Sequence, residues 1–437
     1  MVVGNCSCIV HMIDRSFLAH SSVHLPDWLD YIQGLHTQMM DLGLERVREV
    51  ANRLDITSRQ IAKRTIVVGG TNGKGSTVAY ISHIAKAAGL RVGSYTSPHL
   101  RKFNERVCIN CTPADDALLV RSFAAVDRVR EDTPLTYFEF STLAAFWMFS
   151  QSSLDLAVLE VGLGGRLDAV NIIDADASII TTVDIDHADI LGEDRETIAK
   201  EKTGIIRMGR PVVVGDYDPP SAVLTEAYRL GATLLRVGNT FFCEPQLNGK
   251  WRWRDAGFSM LLPTPGLFGP VQLVNAAVAI AALRALPLPI SRAAFANGLA
   301  NTSLSGRFQT ITLEEGVQII LDVCHNPQAA NALGKALEQL PPISGKNLAV
   351  FSALADKDAY GIGLALRSIV SDWYLAGLAV ERGQTAQSLY TQLAPLGLRA
   401  HCFEDVHSAF AAARQDATQE DRIIVFGSFH TISQIMP

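Results

Sequence analysis

Lys74, Ser76 and Thr77 stand in the stretch GGTNGKGST, residues 69–77. It follows the apolar run RTIVV and opens GKGSTVAYISHIAKAAG, whose apolar residues recur at helical spacing. Strand, glycine turn and helix N-terminus in that order aim successive backbone N–H groups at one spot, and glycine lets the chain approach an anion closely. Lys74 would then reach the terminal phosphates of a nucleotide, with Ser76 or Thr77 near its Mg²⁺. The spelling departs from the usual phosphate loop, which ends GK[ST]: Gly75 separates Lys74 from Ser76, and the early glycine falls at Gly70. An ordinary glycine turn between strand and helix is the competing reading.

Three more residues bear on that chemistry. The strand LDLAVLEVG ends at Glu160, just before GLGGRLDAVN. Ligands of open α/β sheets collect at the carboxyl ends of strands, so Glu160 can face a nucleotide-bound cation, although alone it reads as a solvated carboxylate. VDIDHADILG places His187 at a second strand end, and AKEKTGI places Lys202 on a helix. By themselves both read as structural or surface residues.

The elements that must position these groups alternate along the chain. After RTIVVGG and its helix come the strand RVGSYTS, helices over DALLVRSFAAVDRVR and FEFSTLAAFWMFSQ, and the strands LDLAVLEVG and DASIITTVDI. A helix near ETIAKEKTGIIR, the strand PVVVGD and a helix over SAVLTEAYRLG follow. Such alternation predicts a mostly parallel sheet covered on both faces. Residues 240–263 break the rhythm with alternating polar and aromatic residues and an NGK turn, which predicts an antiparallel flap. Helices over VQLVNAAVAIAALRAL and SRAAFANGLAN lead to SLSGRFQ. From about residue 305 a second α/β series begins, with strands in GVQIILDV, LAVFSAL, SDWYLAGL, RAHCFE and RIIVFGSF and a helix over NPQAANALGKALEQL.

Composition narrows the function classes. A chain of 437 residues exceeds what one hydrophobic core usually serves, so two or three domains are expected. With 38 basic against 44 acidic residues the formal charge is −6, which supplies no footprint for nucleic acid or an anionic membrane. Seven cysteines spread over such a length make no disulfide framework and predict a reducing, cytoplasmic setting. Cys6 with Cys8 and Cys108 with Cys111 lack the partners of a tetrahedral metal set and read as incidental thiols. The start has no basic region or long apolar run, so neither a signal peptide nor a membrane anchor is expected.

The segments GTNGKGST, TSPHL (96–100), TYFEF (136–140), LEVGLGGRLDAVN (159–171), DH (186–187), EKTGI (201–205), SGRFQ (305–309), DVCHNP (322–327) and GSFHT (427–431) occur in this order. Together they resemble the folylpolyglutamate synthases, most closely the bifunctional bacterial dihydrofolate synthase/folylpolyglutamate synthase family of the Mur ligase superfamily. The resemblance spans residues 41–431. GKG[ST] is that family's own spelling of the loop. Cys324 stands where Ala is usual, and Val170 replaces a frequent Thr.

The resemblance implies a fold and a site. The fold is α/β: an N-terminal P-loop-type, mostly parallel sheet domain with the antiparallel flap, followed by a C-terminal Rossmann-like α/β domain. Residues 1–24 would be an N-terminal extension, 25–304 the ATP-binding domain with the pterin site, and 305–437 the glutamate-ligase domain. ATP contacts are implied for Thr71, Asn72, Gly73, Lys74, Gly75, Ser76 and Thr77, with Asn275, Arg307 and Asp322. Metal ligands would be Ser97, Glu160 and His187, with Ser76 at the nucleotide-bound ion. Lys74, His187 and Lys202 would carry the chemistry, Lys202 as a carbamate formed with CO₂. Asp41, Leu42, Gly43, Leu44, Thr136, Tyr137, Phe138, Glu139, Leu167, Asp168 and Ala169 would hold the pterin, and His325 and Ser428 would shape the glutamate site. TYFEF also reads as a packed helix start.

The implied cofactors are ATP and Mg²⁺ at two sites, with a monovalent cation as a further candidate. The implied substrates are dihydropteroate, reduced folates and L-glutamate, in a monomer. Two other readings compete. A Mur-type ligase acting on a UDP-linked precursor needs an N-terminal UDP-sugar domain of about a hundred residues; only 63 precede the strand at Arg64. A GTPase switch needs an NKxD base-reading motif, and the nearest string, ADKDA at 355–359, lacks the Asn.

Overall fold

The computed structural model describes residues 24–36, 41–247 and 249–436. The expected N-terminal extension, apart from His24, lies outside the described residues, as do Cys6, Cys8 and Asn248 of the NGK turn.

Apolar runs in the first part of the chain form an eight-stranded sheet. Its strands are β1 (Arg64–Gly69), β2 (Val92–Tyr95), β3 (Val107–Ile109), β4 (Thr112–Pro113), β5 (Leu156–Glu160), β6 (Ala177–Ile180), β7 (Pro211–Val214) and β8 (Thr233–Arg236). The order is β4-β3-β2-β5-β1-β6-β7-β8, parallel throughout except for the antiparallel edge pairings of β3 with β2 and β4. Burial on both faces explains the continuous hydrophobic runs. Val67, Leu159 and Ile180 face one core while Ile66, Val68, Val158 and Ile179 face the other, as the two-residue repeat of a strand requires.

The flap is a separate antiparallel sheet of β9 (Phe241–Pro245), β10 (Lys250–Asp255) and β11 (Ser259–Pro263). Its inward residues Trp251, Trp253, Met260 and Leu262 join the second core. Each Trp buries roughly 150–250 Å², on the order of 4–6 kcal/mol at ~25 cal/mol/Å². Trp253 Nε1 donates to Ala277 O at 3.1 Å, which ties the flap to the helix Pro270–Arg284. That helix carries Gln272 and Asn275 to the glycine loop.

The second series folds into β12 (Gln309–Thr312), β13 (Gln318–Asp322), β14 (Asn347–Phe351), β15 (Asp372–Ala376), β16 (Ala400–Phe403) and β17 (Arg422–Phe426). Their order is β12-β13-β17-β14-β15-β16, with β12 antiparallel and the rest parallel. All five strands expected here are present; β12 was not foreseen, because QTIT is short and exposed at alternate positions. The helix near ETIAKEKTGIIR spans Arg195–Thr203 and stops before Gly204.

The helix that opens at Lys74 crosses the helix Arg292–Ala300 at Gly298, where an added Cβ would overlap the Ile84 backbone. Gly298→Ala should therefore destabilise the first sheet domain by about 1–3 kcal/mol, read from its urea transition; an unchanged midpoint would show that the two helices can separate freely.

Candidate functional site

The carboxyl ends of β1, β2, β5 and β6 lie side by side, and the residues singled out from the sequence follow directly from them. Gly70 and Gly73 take the positive φ values, 138° and 88°, that turn the chain after β1. A Cβ on Gly73 would stand 2.6 Å from Asn275 Oδ1, so the loop fits closely against the helix braced by the flap. The turn is pinned to the loop after β6. Thr71 N donates to Thr182 O at 2.8 Å, Asp184 N to Thr71 Oγ1 at 3.0 Å, and Thr181 Oγ1 to Asn72 O at 2.6 Å.

Lys74 opens the following helix, and its Nζ curls back to Gly70 O and Thr71 O, both at 3.1 Å. Its positive charge therefore lies over the concave side of the loop. Ser76 Oγ accepts from Gln272 Nε2 at 3.4 Å, and Asn275 Nδ2 donates to Gln272 Oε1 at 3.1 Å. Thr77 Oγ1 is buried without a partner, an orphan next to the place where the loop would hold a ligand.

Glu160, the last residue of β5, is 5% exposed and accepts from Ser97 N at 3.3 Å. Burial raises its carboxyl above the usual range, against the opposing charges of Lys74 and Arg307. A Cβ on Gly75 would be 3.7 Å from both Glu160 Oε2 and Arg307 Nη2. Gly75 thus marks where carboxylate, loop and guanidinium meet. Arg307 reaches this point from the second sheet domain with Nη1 buried and unpartnered. Its turn is held by Asp322, whose oxygens accept from Phe308 N at 2.8 Å and Cys324 N at 2.9 Å.

His187 sits on the loop after β6 in a left-handed conformation, φ 52° and ψ 45°. Burial first, then Lys357 and His325, lower its imidazole to about 4 against the pull of Asp186, so a lone pair is free at neutral pH. The neighbouring Asp186 meets three groups of the second sheet domain: Lys357 Nζ at 2.6 Å, Asn326 Nδ2 at 3.1 Å and His325 Nε2 at 3.3 Å. Asn326 and Gln328 also bind Asn72 of the glycine loop, at 3.0 and 2.7 Å. Lys202 is 4% exposed, and no ion pair involves it among the described residues. Burial and the nearby Lys74 charge push its amine down to about 7.

The donor set bears on whether a divalent cation fits. Ser97 and Glu160 are oxygen donors held together and His187 is an unprotonated nitrogen, a mixture that Mg²⁺ or Mn²⁺ accepts when waters complete the shell. No group of three or more His, Cys, Asp and Glu is assembled among the described residues, so further oxygens would have to come from water or a phosphate.

Two of the three segments expected to hold a pterin are joined by Arg46, which donates to Asp41 Oδ2 at 2.5 Å and to Glu139 Oε1 at 2.9 Å. Thr136 and Glu139 also form the reciprocal cap of the helix Tyr137–Ser150. Tyr137 lies edge-on to Phe103, and Phe138 fills the space beside Gly162. The helix-start reading of TYFEF is therefore satisfied, without removing the segment from the site. Asp168 takes N–H groups from Leu163 and Val170 at 2.9 Å, while burial pushes its carboxyl up to about 6. Leu42 is 43% exposed, Gly43 follows it, and Ala169 is buried. Leu44 and Leu167 line a cavity of about 560 Å³ with Arg48, Arg166 and Arg207; none of residues 70–77 lines it. Ser428 caps the helix Phe429–Ile435 by accepting from Thr431 N at 3.0 Å.

Arg46, Asp186, Gln272, Asn326, Gln328 and Lys357 were not singled out from the sequence. Asp186 and Asn326 stand inside the quoted segments DH and DVCHNP but were given no role, and Lys357 lies in ADKDA, a string weighed only as a guanine-reading motif. Their long-range partners give no local signal.

The chain is similar to known proteins along most of its length. Residues 68–239 match the Mur ligase middle domain and residues 306–429 the Mur ligase glutamate ligase domain. The dihydrofolate synthase/folylpolyglutamate synthase of Escherichia coli is 43% identical over 413 residues, 94% of each chain. That of Haemophilus influenzae is 40% identical over 428 residues, 94% of this chain and 96% of the relative. The structure of the E. coli enzyme in complex with DHPP and ADP superposes with a TM-score of 0.89 at 42% identity, covering 95% of this chain and 97% of that one. A bifunctional folylpolyglutamate synthase/dihydrofolate synthase with Mn, AMPPNP and L-glutamate bound gives 0.87 at 44% identity, covering 95% and 98%.

Gly73 tests the anion cradle directly. Gly73→Ala should weaken inorganic tripolyphosphate binding about tenfold, the equivalent of ~1.4 kcal/mol of strain in the left-handed turn. Unchanged affinity in calorimetric titration would show that this turn is not needed for an anion.

Proposed function

Because the chain belongs to the dihydrofolate synthase/folylpolyglutamate synthase family of Mur ligases, we propose that it joins L-glutamate to dihydropteroate and to the γ-carboxylate of folates, using ATP. The observation that carries this reading is the meeting of Lys74 and Glu160 from the first sheet domain with Arg307 from the second. Residues 25–304 then form the ATP- and pterin-binding domain and 305–437 the glutamate-ligase domain. The enzyme acts as a cytoplasmic monomer without nucleic-acid or membrane partners. No described helix is long and apolar enough to cross a membrane.

A carboxylate is a poor acyl donor because its leaving group would be oxide. In this reading the acceptor carboxylate attacks the γ-phosphorus of ATP, ADP leaves, and the resulting acyl phosphate is attacked at carbon by the glutamate amine with loss of phosphate. The first step brings an anion to a polyanion, so fixed positive charge and N–H dipoles must be in place beforehand. Residues 71–77 cradle the phosphates, Lys74 and Arg307 neutralise charge on the transferring group, and Asn275 and Asp322 hold the nucleotide and the Arg307 turn. Ser97, Glu160 and His187, with Ser76, hold Mg²⁺, which when bound offsets phosphate charge and orients the γ-phosphoryl group. Contacts from both domains exclude water from the acyl phosphate. His325 and Ser428 border the place from which glutamate enters. Asp41–Leu44, Thr136–Glu139 and Leu167–Ala169 border the pterin.

Purified protein with ATP, Mg²⁺ and L-glutamate should convert both dihydropteroate and a reduced folate, and Lys74→Ala should abolish both turnovers while leaving the fold intact. Product from folates alone would remove the dihydrofolate synthase half, and product from neither would sink the assignment.

Lys202 enters the same reading as a carbamate. CO₂ adds only to a neutral amine, and an amine held near 7 is about nine-tenths neutral one pH unit above that value. Carbon-13 bicarbonate should therefore give a carbamate resonance that strengthens as pH rises through 7 and vanishes in Lys202→Arg. A resonance that persists in that variant, or none in the wild type, would exclude the modification.

A further inference from the structure

Among the described residues, Lys357 is the one deeply buried ammonium in the crevice to which the ligase reading gives no task. It lies between β14 and the helix Ala359–Leu366, at the carboxyl end of a strand of the second domain, and its side chain is 5% exposed. Its Nζ stands 2.6 Å from Asp186 Oδ1, 3.4 Å from Asp356 Oδ2 and 3.4 Å from His187 Nε2. Asp356 is shared with Arg382, which donates to its Oδ1 at 2.6 Å, so the stronger claim on Lys357 is that of Asp186.

Asp186 is more than a docking point. Its Oδ1 also accepts the backbone N–H of His187 at 2.9 Å, at a residue whose φ of 52° lies where side-chain-bearing residues rarely go. One carboxylate oxygen therefore joins the ammonium of one domain to the left-handed turn of the other. We propose that Lys357 is a positioning residue that grips Asp186 across the crevice, fixes the turn at His187 and so aims that imidazole at the divalent cation. The inference rests on the ligase reading, in which His187 is a cation ligand.

Two effects of Lys357 oppose each other, and the distances decide between them. At 3.4 Å its contact with His187 Nε2 is at the outer limit of a hydrogen bond, so its competition with a cation for that lone pair is weak. At 2.6 Å its contact with Asp186 is a charge-assisted bond between two buried groups. Burial alone would raise the Asp186 carboxyl, yet His325 and Lys357 hold it far below the usual range. Buried ion pairs often add little to stability, which leaves orientation as the role this one serves.

The test is Mn²⁺ binding to the full-length protein in the presence of AMPPNP, followed by electron paramagnetic resonance, with AMPPNP affinity measured separately. Partners that orient a metal ligand typically contribute about 10–100-fold to metal affinity. Lys357→Met should therefore weaken Mn²⁺ binding by about tenfold or more and change AMPPNP affinity by less than about twofold. Asp186→Asn should do the same, and the double variant should be no worse than Asp186→Asn alone, because both act through one contact. Asp186→Asn, which preserves size, carries the test if Lys357→Met does not fold. Unchanged Mn²⁺ affinity in the single variants, or additive losses in the double, would overturn the proposal. Tighter Mn²⁺ binding by Lys357→Met would overturn it too, by showing competition instead of positioning. A wild-type protein that binds neither AMPPNP nor Mn²⁺ would instead remove the ligase reading and the proposal with it.

Discussion

Glu160 is a buried carboxylate whose compensating charge comes from two different sheets. Moving an unpaired carboxylate out of water costs several kcal/mol after relaxation, and the protein offsets that cost with Lys74, one strand away, and Arg307, from the other domain. The requirement propagates outward. Arg307 can reach the crevice only if its turn is held, and Asp322 holds it by accepting from the N–H groups of Phe308 and Cys324. Lys74 can face inward only if the chain turns left-handed at Gly73, which needs the close fit against Asn275. Asn275 is held in place because Trp253 of the flap ties down its helix. A flap remote in sequence and a strand end of the second domain therefore serve the same carboxylate.

The contacts between domains are polar where the chemistry is and specific in geometry. Asn72 of the glycine loop bonds to Asn326 and Gln328, and Asn326 at the same time caps the helix Pro327–Glu338. The loop therefore senses the position of the second domain through side-chain amides, which lose most of their value with small displacements because hydrogen bonds weaken steeply with distance and angle. In the docked arrangement these amide donors have acceptors, and water could take the place of those acceptors at little net cost. That balance suits an enzyme that must open for three substrates and close before an acyl phosphate forms.

Much of the fold was legible because period and punctuation agree. Strand runs such as RTIVVG and RIIVF are buried on both faces and read as continuous apolar segments, and glycines mark the turns that follow them. The short strands β3, β4, β8 and β12 were not: β4, β8 and β12 are sheet edges and β3 lies next to one, and runs this short carry little periodic signal of their own. The same division holds at the site. Lys74 and Glu160 announce themselves by standing at strand ends next to glycines. Arg46 does not: its meaning comes from Asp41 and Glu139, the latter 93 residues away, and locally it is one more polar residue on an amphipathic helix. Lys357 was visible only as part of a string that failed to match another motif, because its partner Asp186 lies 171 residues earlier.

Lys202 shows why charge, and not only shape, governs this crevice. It is buried and feels Lys74 as a like charge, so keeping both as ammonium ions would add repulsion to the desolvation that already lowers its amine to about 7. Two outcomes relieve that conflict: loss of the proton, or conversion to an anion that attracts Lys74. Only the second also supplies oxygen donors to a region where Glu160 and Ser97 provide few and where no larger acidic cluster is assembled among the described residues. The placement that looks wrong for a lysine is thus the one that brings its amine down to about 7, because burial and the Lys74 charge outweigh the opposing pull of Asp186 and Asp168.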